Sequence, residues 1–369
     1  MSVGPLSDPV VEARDLSVAY GGQKVLEVPS LSVHKNEVLV IVGPNGCGKT
    51  TLLLCLSLLL KPTTGTVSYH GAPVLDNSAA LHLRRRLSVA FQDPLLLSSS
   101  VWDNVTLGLR FRGMRDHHLM KQRVETWLER FGVAHLARRQ ARTLSGGEAK
   151  RVSLARAFVL DPEVLFLDEP FNALDSPTRQ GLMEDFESVL RETRVTTVMV
   201  THDRNEALAL AHRVAVMMAG RIRQLASTDE VFSSPVDEEV ARFVEAGNIL
   251  QGTVTSQTKG LACVAVDGGE VQAVSDLALG TRVVGYLHYE DVTLTLNASP
   301  DTLSSARNQL RARITRSFAM GPQIKVTMEC GFVLASLVTR RSWEEMGLEV
   351  GKEVVASFKA SSVHLVPKL

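Results

Sequence analysis

The stretch VLVIVGPNGCGKT, from Val38 to Thr50, decides how the first part of this chain folds. An apolar run is typical of a strand buried in a parallel sheet, and the glycine-rich segment after it matches GxxxxGK[ST]. Backbone amides of such a loop wrap a phosphate, Lys49 reaches the terminal phosphates, and the Thr50 hydroxyl binds magnesium. The predicted nucleotide-binding residues here are Gly43, Pro44, Asn45, Gly46, Cys47, Gly48, Lys49, Thr50 and Thr51.

A second apolar run, VLFLDEP at Val164–Pro170, ends in two carboxylates. Acidic groups at the end of a buried strand suit magnesium and water chemistry better than an ordinary surface role. We expect Asp168 to take part in magnesium binding and Glu169 to polarise the attacking water as general base.

Similar apolar runs alternate with helix-like segments through the first part of the chain, as in TTVMVTH at Thr196–His202. This alternation predicts an α/β fold with a largely parallel sheet. Charged helical periodicity dominates between about residues 95 and 160, which indicates a helical subdomain inserted into the α/β core.

A turn at Leu144–Glu148, LSGGE, precedes the helical run AKRVSLARAF. A Ser-Gly-Gly turn that opens a helix presents backbone amides to an anion, although a plain helix N-cap has the same pattern. Taken alone, the turn leaves both interpretations open.

The order of these motifs over about residues 10–235 resembles the ATP-binding cassette (ABC) ATPases, a family of P-loop NTPases. The resemblance implies ATP hydrolysis with ATP and Mg²⁺ as cofactors. It also implies that Tyr20 stacks on adenine, that Gln92 contacts magnesium and the attacking water, and that His202 holds the γ-phosphate. The segment Leu95–Arg112 occupies the place where family members receive a helix from the membrane subunit.

The same resemblance implies a homodimer in which one subunit covers the nucleotide held by the other. Asp175 would contact the opposite protomer. Two residues depart from the family pattern, Glu148 where Gln is common and Asn172 where Ser is common. Both remain polar and close in size, so we expect activity to survive. The predicted covering residues are Ser145, Gly146, Gly147 and Glu148.

Composition narrows the classes of function. The 369 residues include 40 basic and 40 acidic side chains, so no global field favours nucleic acid, and we expect no nucleic-acid partner. The four cysteines form no CxxC pair, which argues against a zinc site. The most apolar stretch, Thr51–Leu60, is about half the ~20 residues that span a bilayer. We therefore expect a peripheral protein at the cytoplasmic face of the cell membrane.

The pattern becomes strand-like after about Ala246, which predicts an ATPase domain over residues 1–246 and an all-β domain over 247–369. Leu277–Leu294 aligns without gaps on Leu348–Leu365, and the segment at Asn248 is echoed at Asn308. Two related OB-like units in tandem explain this repeat.

The second repeat, about residues 303–369, resembles the Mop domain, a TOBE-type module that binds molybdate and tungstate. The resemblance rests on SARNQL at Ser305–Leu310 and VVASFKASSVHL at Val354–Leu365. A tetrahedral dianion needs cationic groups and hydroxyl or amide donors without a carboxylate nearby. An exposed turn with ordinary surface charges is the alternative. The candidate oxyanion residues are Ser305, Arg307, Lys359 and Ser361.

The first repeat carries different residues at the equivalent positions. Glu245 replaces Ser305, Gly247 replaces Arg307, and Glu290 and Asp291 replace the Ser361–Ser362 pair. Because carboxylates repel an oxyanion, we expect only the second repeat to bind one.

These features predict the ATP-hydrolysing subunit of a molybdate or tungstate importer. It would work with a separate permease and a solute-binding protein, and its C-terminal domain would sense oxyanion. Importers for sulfate, ferric iron, sugar or polyamine remain alternatives, as does a non-transport ABC ATPase. A C-terminal domain that only stores oxyanion or mediates dimer contacts is a further alternative.

Overall fold

The computed structural model describes residues 8–244, 247–296 and 304–368. The chain divides into two compact units, Met1–Thr228 and Asp229–Leu369. The predicted boundary, Ala246, lies outside the described residues, and the contacts group the segment after Thr228 with the second unit.

The first unit combines strands and helices in the alternating order that the sequence predicts. Its strands are β1 Pro9–Tyr20, β2 Gln23–His34, β3 Val38–Val42, β4 Thr64–Tyr69, β5 Ala72–Pro73, β6 Leu87–Ala90, β7 Val164–Asp168, β8 Thr196–Thr201, β9 Arg213–Met218 and β10 Arg221–Ser227. Its helices are α1 Lys49–Leu56, α2 Asn77–Arg84, α3 Val101–Phe111, α4 His117–Arg130, α5 Gly146–Phe158, α6 Ser176–Thr193 and α7 Arg204–Leu210, with short 3-10 helices at Ala134–Leu136 and Ala141–Thr143.

A six-stranded sheet in the order β10-β9-β3-β8-β7-β6 forms the centre of this unit. Strands β9, β3, β8, β7 and β6 run parallel, and β10 is antiparallel to β9. Every residue of β3, β7 and β8 is buried, which explains their continuous apolar runs. Parallel strands bring their carboxyl ends to one edge, so the loops after β3, β6, β7 and β8 lie together.

A four-stranded antiparallel sheet in the order β2-β1-β4-β5 shares a core with the parallel sheet. Leu16 and Leu31 from this sheet belong to the same buried cluster as Ile41 and Phe166. Gly21 and Gly22 make the β1–β2 turn, both with positive φ, as a tight hairpin requires. The turn leaves Tyr20 exposed at the end of β1.

Three helices, α3, α4 and α5, lie within the segment predicted to be helical, and aromatic rings pack α4 and α5 against α6. The ring centroids of Trp127 and Phe158 are 4.8 Å apart, and those of Phe158 and Phe186 are 6.0 Å apart. Phe186 in turn meets Phe171 at 5.6 Å. These ring contacts pack the chain just after Glu169 against the helical layer.

The second unit is almost entirely antiparallel β. Its strands are β11 Asn248–Thr258, β12 Leu261–Val266, β13 Gly269–Val274, β14 Arg282–Leu287, β15 Thr293–Thr295, β16 Asn308–Met320, β17 Gln323–Glu329, β18 Val333–Thr339, β19 Glu353–Phe358 and β20 His364–Pro367. Its helices are α8 Thr228–Ser233, α9 Glu238–Phe243 and α10 Arg340–Glu345, with 3-10 helices at Tyr289–Asp291 and Ala360–Ser362.

The repeat read from the sequence is present in the fold, but its two halves exchange strands. The sheets have the orders β13-β12-β11-β14-β20 and β15-β19-β16-β17-β18. The last strand of each repeat therefore pairs in the other repeat's sheet: β15 pairs with β19, and β20 with β14. Buried residues of both halves form one core. The two halves of the C-terminal unit are therefore interlocked by exchanged strands, which the prediction of two tandem OB-like units did not include.

A pair of equivalent asparagines joins the two halves. The buried Asn248 amide group bonds the backbone of Ala335 in both directions, at 2.6 and 2.9 Å. Asn308 makes the same two bonds to Gln272, at 2.7 and 2.9 Å. Each asparagine thus satisfies the edge strand of the other half, so the repeat motif that begins with Asn is a device for joining the halves.

Candidate functional site

The loop after β3 has the geometry of a phosphate cradle. A side chain at Gly43 would place its Cβ 2.1 Å from the Met217 carbonyl oxygen, and Gly48 has a φ of 100°, so both positions require glycine. Gly48 opens α1. The Cys47 side chain is buried, whereas Pro44, Asn45 and Gly46 are exposed. The loop therefore offers mainly its backbone to a ligand.

Lys49 lies buried at the start of α1, beneath this loop. Its ammonium donates to the carbonyl oxygens of Gly43 and Pro44, at 2.8 and 3.1 Å. The ammonium is thus held against the carbonyl groups of this loop.

Thr50 and Asp168 meet at the carboxyl edge of the sheet. The Thr50 hydroxyl donates to Asp168 Oδ1 at 3.1 Å, although the two residues are 118 positions apart. Burial raises the pKa of Asp168. Two hard oxygen ligands beside a phosphate cradle are the donor set that Mg²⁺ prefers, so these residues fit a magnesium ion.

Glu169 follows Asp168 in a strained conformation, with a φ of 44°. Its backbone amide donates to the Val200 carbonyl at 2.9 Å. Its carboxylate accepts a hydrogen bond of 2.7 Å from the side-chain amide of Asn172 and lies 3.2 Å from Nδ1 of His202. A non-glycine residue in this region costs about 1–2 kcal/mol, and such strain is typical of functional sites.

Gln92 follows β6, and Tyr20 is the last residue of β1. Gln92 is exposed in the loop after β6, the strand that pairs with β7. Tyr20 is 56% exposed, which leaves its ring free for stacking. A hydrogen bond joins Thr50 to Asp168, and Glu169 contacts His202. The backbone of Gln92 is linked to that of Glu169 through the Lys150 ammonium.

The turn at Ser145 opens α5 with a capping box. Ser145 Oγ accepts from the Glu148 amide at 3.3 Å, and the Glu148 carboxylate accepts from the Ser145 amide at 2.7 Å. The backbone hydrogen bond from Ser145 holds the pKa of Glu148 below its ordinary value. Glu148, one of the two departures from the family pattern, is therefore a structural partner of Ser145.

The Ser145 turn packs against α6. A Cβ on Gly147 would meet the Thr178 methyl at 2.6 Å, while Gly146 faces open space. Asp175 caps α6 by accepting from the Thr178 amide at 3.2 Å. The side chain of Thr178 holds the pKa of Asp175 below its ordinary value. The Ser145 turn and Asp175 thus form a second group of predicted residues in the first unit.

Sequence reasoning missed Lys150 and Glu206 as parts of the site. Lys150 is 7% exposed and donates to the backbone of Gln92 and Glu169. Glu206 is 3% exposed, and burial raises its pKa to about 7. Each belongs to a helix with ordinary polar spacing, so only the tertiary packing reveals their burial.

The oxyanion candidates lie on exposed segments of the second unit. Ser305, Arg307, Lys359 and Ser361 are all exposed. Of these four, only Lys359 lines a cleft of about 560 Å³, together with Ser304 and Ser362.

The same cleft contains Glu290 and Asp291. The expectation that no carboxylate lies near Lys359 is therefore wrong. The exchange of β15 carries these acidic residues of the first repeat to the second sheet. Glu245, the third predicted carboxylate, lies outside the described residues.

Comparison with protein families identifies both parts of the chain. Residues 26–172 match the ABC transporter family, and residues 304–365 match the TOBE domain. The first match contains the loop at Lys49, the Ser145 turn and Glu169. The second spans most of the predicted Mop-like unit.

Several curated relatives match along most of the chain. A molybdate/tungstate import ATP-binding protein, WtpC of Pyrococcus horikoshii, is 34% identical over 97% of this chain and 100% of its own length. The spermidine/putrescine import ATP-binding protein PotA of Borrelia garinii is 30% identical over 97% and 99%. The sulfate/thiosulfate import ATP-binding protein CysA of Nitrosomonas europaea is 33% identical over 86% and 85%.

Among solved structures, the dimeric structure of MJ0796, described as a bacterial ABC transporter cassette, is similar to the first unit. It is 28% identical, with a TM-score of 0.55, over 59% of this chain and 98% of that one. Among the described residues, no helix is long and apolar enough to cross a membrane. The phosphate cradle, the carboxylate pair and the full-length relatives agree, and the chain is an ATP-hydrolysing member of the ABC transporter family with a C-terminal TOBE domain.

Proposed function

We propose that this chain is the ATPase subunit of a molybdate or tungstate importer and acts as a homodimer. One observation supports the choice of substrate: over the same 97% of this chain, identity to the molybdate/tungstate protein is 34%, against 30% to the polyamine protein. The polyamine and sulfate relatives support importers of those solutes as the alternatives.

In the proposed reaction, the loop amides and Lys49 bind the β- and γ-phosphates of ATP, and Tyr20 stacks on adenine. Thr50 and Asp168, with Gln92, hold Mg²⁺, which neutralises charge on the phosphates when bound. Glu169 accepts a proton from the attacking water, and His202 donates to the γ-phosphate. The hydrogen bond from Asn172 aims the Glu169 carboxylate.

The homodimer is proposed because the predicted residues fall into two groups. Thr50 donates a hydrogen bond to Asp168, the residue before Glu169, whereas Gly147 lies against the Thr178 methyl. A Ser-Gly-Gly turn whose open glycine faces space suits a nucleotide held by a second copy. The dimeric structure similar to the first unit is consistent with this arrangement.

Docking of a separate permease is proposed for the surface around α3. Leu95 and Leu97 are 62% and 52% exposed, which is unusual for large apolar side chains. A neighbouring cleft of about 700 Å³ is lined by Trp102 and Leu128 among others. An apolar helix from a membrane subunit fits such a surface. Closure of the ATPase dimer would then move the permease at the cytoplasmic face of the membrane.

Oxyanion binding by the second unit is proposed from Lys359 and its hydroxyl neighbours Ser304 and Ser362. Glu290 and Asp291 oppose a dianion in this cleft, so a single chain offers an incomplete site. A second copy that contributes Arg307 or Ser305 would complete it.

The substrate proposal is tested with the chain assembled with its permease and solute-binding protein. Turnover of ATP is measured while the binding protein is loaded with molybdate, tungstate, sulfate or spermidine. We expect molybdate or tungstate to stimulate turnover most strongly. Stimulation by sulfate or spermidine alone would assign the chain to another importer.

A further inference from the structure

Lys150 forms hydrogen bonds to two loops of the ATPase site that are distant in sequence, the loop after β6 and the loop after β7. Its ammonium donates to the Gln92 carbonyl oxygen and, at 3.4 Å, to the Glu169 carbonyl oxygen. These carbonyls follow β6 and β7, which are parallel neighbours in the sheet. A single cation on α5 therefore ties together the two loops that carry Gln92 and Glu169.

The position of Lys150 is strongly determined by charge. Its side chain is almost fully buried, and a buried ammonium is costly unless it is paired and hydrogen-bonded. The carboxylates that act on it are Asp93, Glu169, Glu206 and Asp168. Burial lowers the pKa of Lys150, while these carboxylates favour its charged form. Removing the cation would leave these carboxylates without its compensating charge.

The carbonyl that Lys150 contacts belongs to the strained residue. Glu169 has a φ of 44°, and its carbonyl oxygen also accepts a hydrogen bond from the backbone amide of Asn172 at 3.2 Å. A strained backbone persists only where the surroundings over-determine it. Because the orientation of this peptide sets the direction of the Glu169 side chain, a contact at the carbonyl also controls the carboxylate.

From these contacts we infer that Lys150 is a positioning residue for ATP hydrolysis. It holds the backbone of Gln92 and Glu169 so that both side chains face the same water and phosphate. Its hydrogen bonds go to the two protein carbonyl groups, so its effect on the reaction is exerted through them. The inference rests on the roles proposed above for Gln92 and Glu169, and it assigns to α5 a function in its own subunit's site.

The test is the steady-state kinetics of Lys150→Met in the full chain. Methionine keeps the length and apolar stem but loses the donor and the charge. A displacement of about 1 Å in a reacting group can cost about a hundredfold in rate, so we expect kcat to fall between about tenfold and a hundredfold. The KM for ATP should change less than about twofold, since the Lys49 loop is untouched.

Two variants separate positioning from stability. Lys150→Arg keeps a charged donor, and we expect it to recover kcat to within about fivefold of wild type. Arg151→Met is the matched control on the same helix. Arg151 bonds the Phe131 carbonyl at 3.1 Å and pairs with Asp185, away from both loops. It should lower the melting temperature and leave kcat unchanged.

An unchanged kcat in Lys150→Met would overturn the inference. So would equal losses of kcat in Lys150→Met and Arg151→Met at equal losses of melting temperature. Should Lys150→Met not fold, Lys150→Gln is measured instead: its neutral donor is one bond shorter and bridges the two carbonyl groups less well, so kcat should still fall, and an unchanged kcat would overturn the inference. Glu169→Gln is measured in parallel: intact turnover there refutes the proposed base, whereas intact turnover in Lys150→Met beside a damaged Glu169→Gln refutes the positioning role.

Discussion

The ATP site and the oxyanion candidates differ in how far one chain prepares them. Lys49, Asp168 and Lys150 are buried and hydrogen-bonded to other groups of the same chain. Lys359 and Arg307 are exposed, and carboxylates share the cleft with Lys359. A preorganised site depends on each of its members, whereas an exposed one depends on charge balance and on a partner. Substitutions in the first region should therefore have much larger effects than those in the second.

The largest expected effect follows Glu169→Gln. Glutamine keeps the shape and can accept the Asn172 bond, but it cannot take a proton from water. Loss of a general base costs about 10²- to 10⁴-fold, so ATP turnover should fall by that factor while nucleotide binding persists. Turnover is measured by phosphate release and binding by titration calorimetry. Glu187→Gln, which removes an exposed ion pair with Arg191 on α6, is the control and should be silent.

The equivalent asparagines of the second unit provide an effect of intermediate size. Asn248→Ala leaves the buried backbone of Ala335 without partners, and Asn308→Ala does the same to Gln272. Each substitution should lower the free energy of unfolding of this unit by about 1–3 kcal/mol. Urea unfolding followed by circular dichroism measures the loss. A silent Asn248→Ala beside a damaging Asn308→Ala would show that the halves are not joined equivalently.

Glu206 gives the first unit a pH-dependent stability. Burial raises its pKa from 4.5 to about 7. Between these values the folded chain retains a proton that the unfolded chain has lost, so the free energy of unfolding falls as pH rises through this window. Wild type should lose roughly 1–3 kcal/mol relative to Glu206→Gln between pH 5 and pH 8. Thermal unfolding at both pH values checks this. Equal slopes in the two proteins would contradict it, and the exposed Glu184→Gln should match wild type.

The smallest effect is expected in the cleft at Lys359. Replacing Glu290 and Asp291 together with Gln and Asn removes two exposed charges of the sign that repels an oxyanion. Exposed charges contribute about 0.2–1 kcal/mol each, so molybdate affinity should rise a few-fold at low salt. Titration calorimetry with the full chain measures it, and Lys359→Met should lower the affinity. Unchanged binding in both variants would place the oxyanion elsewhere.

Sequence patterns predict the strands and loops that carry the first region, because these elements depend on local residue type. The apolar run before Gly43 and the carboxylates after β7 lie on short segments whose shape follows from residue type. Lys150 was missed because its partners are carbonyl groups, which no side-chain pattern records.

The second region was predicted less completely for a different reason. The repeat was visible, since Leu277–Leu294 aligns on Leu348–Leu365. The exchange of β15 and β20 depends on strand pairing between the halves, and the alignment does not encode it. That exchange is what brings Glu290 into the cleft at Lys359.

The most direct test of the account asks whether one ATP site is shared by two copies of the chain. Lys49→Ala disables the phosphate loop and Ser145→Arg obstructs the turn, so each variant alone should be inactive. Mixed dimers, purified through two different tags after coexpression, contain one site made of an intact Lys49 loop and an intact Ser145 turn. We predict that the mixed dimers hydrolyse ATP and that neither parent does. Mixed dimers as inactive as both parents, or normal turnover by Ser145→Arg alone, would contradict the shared site.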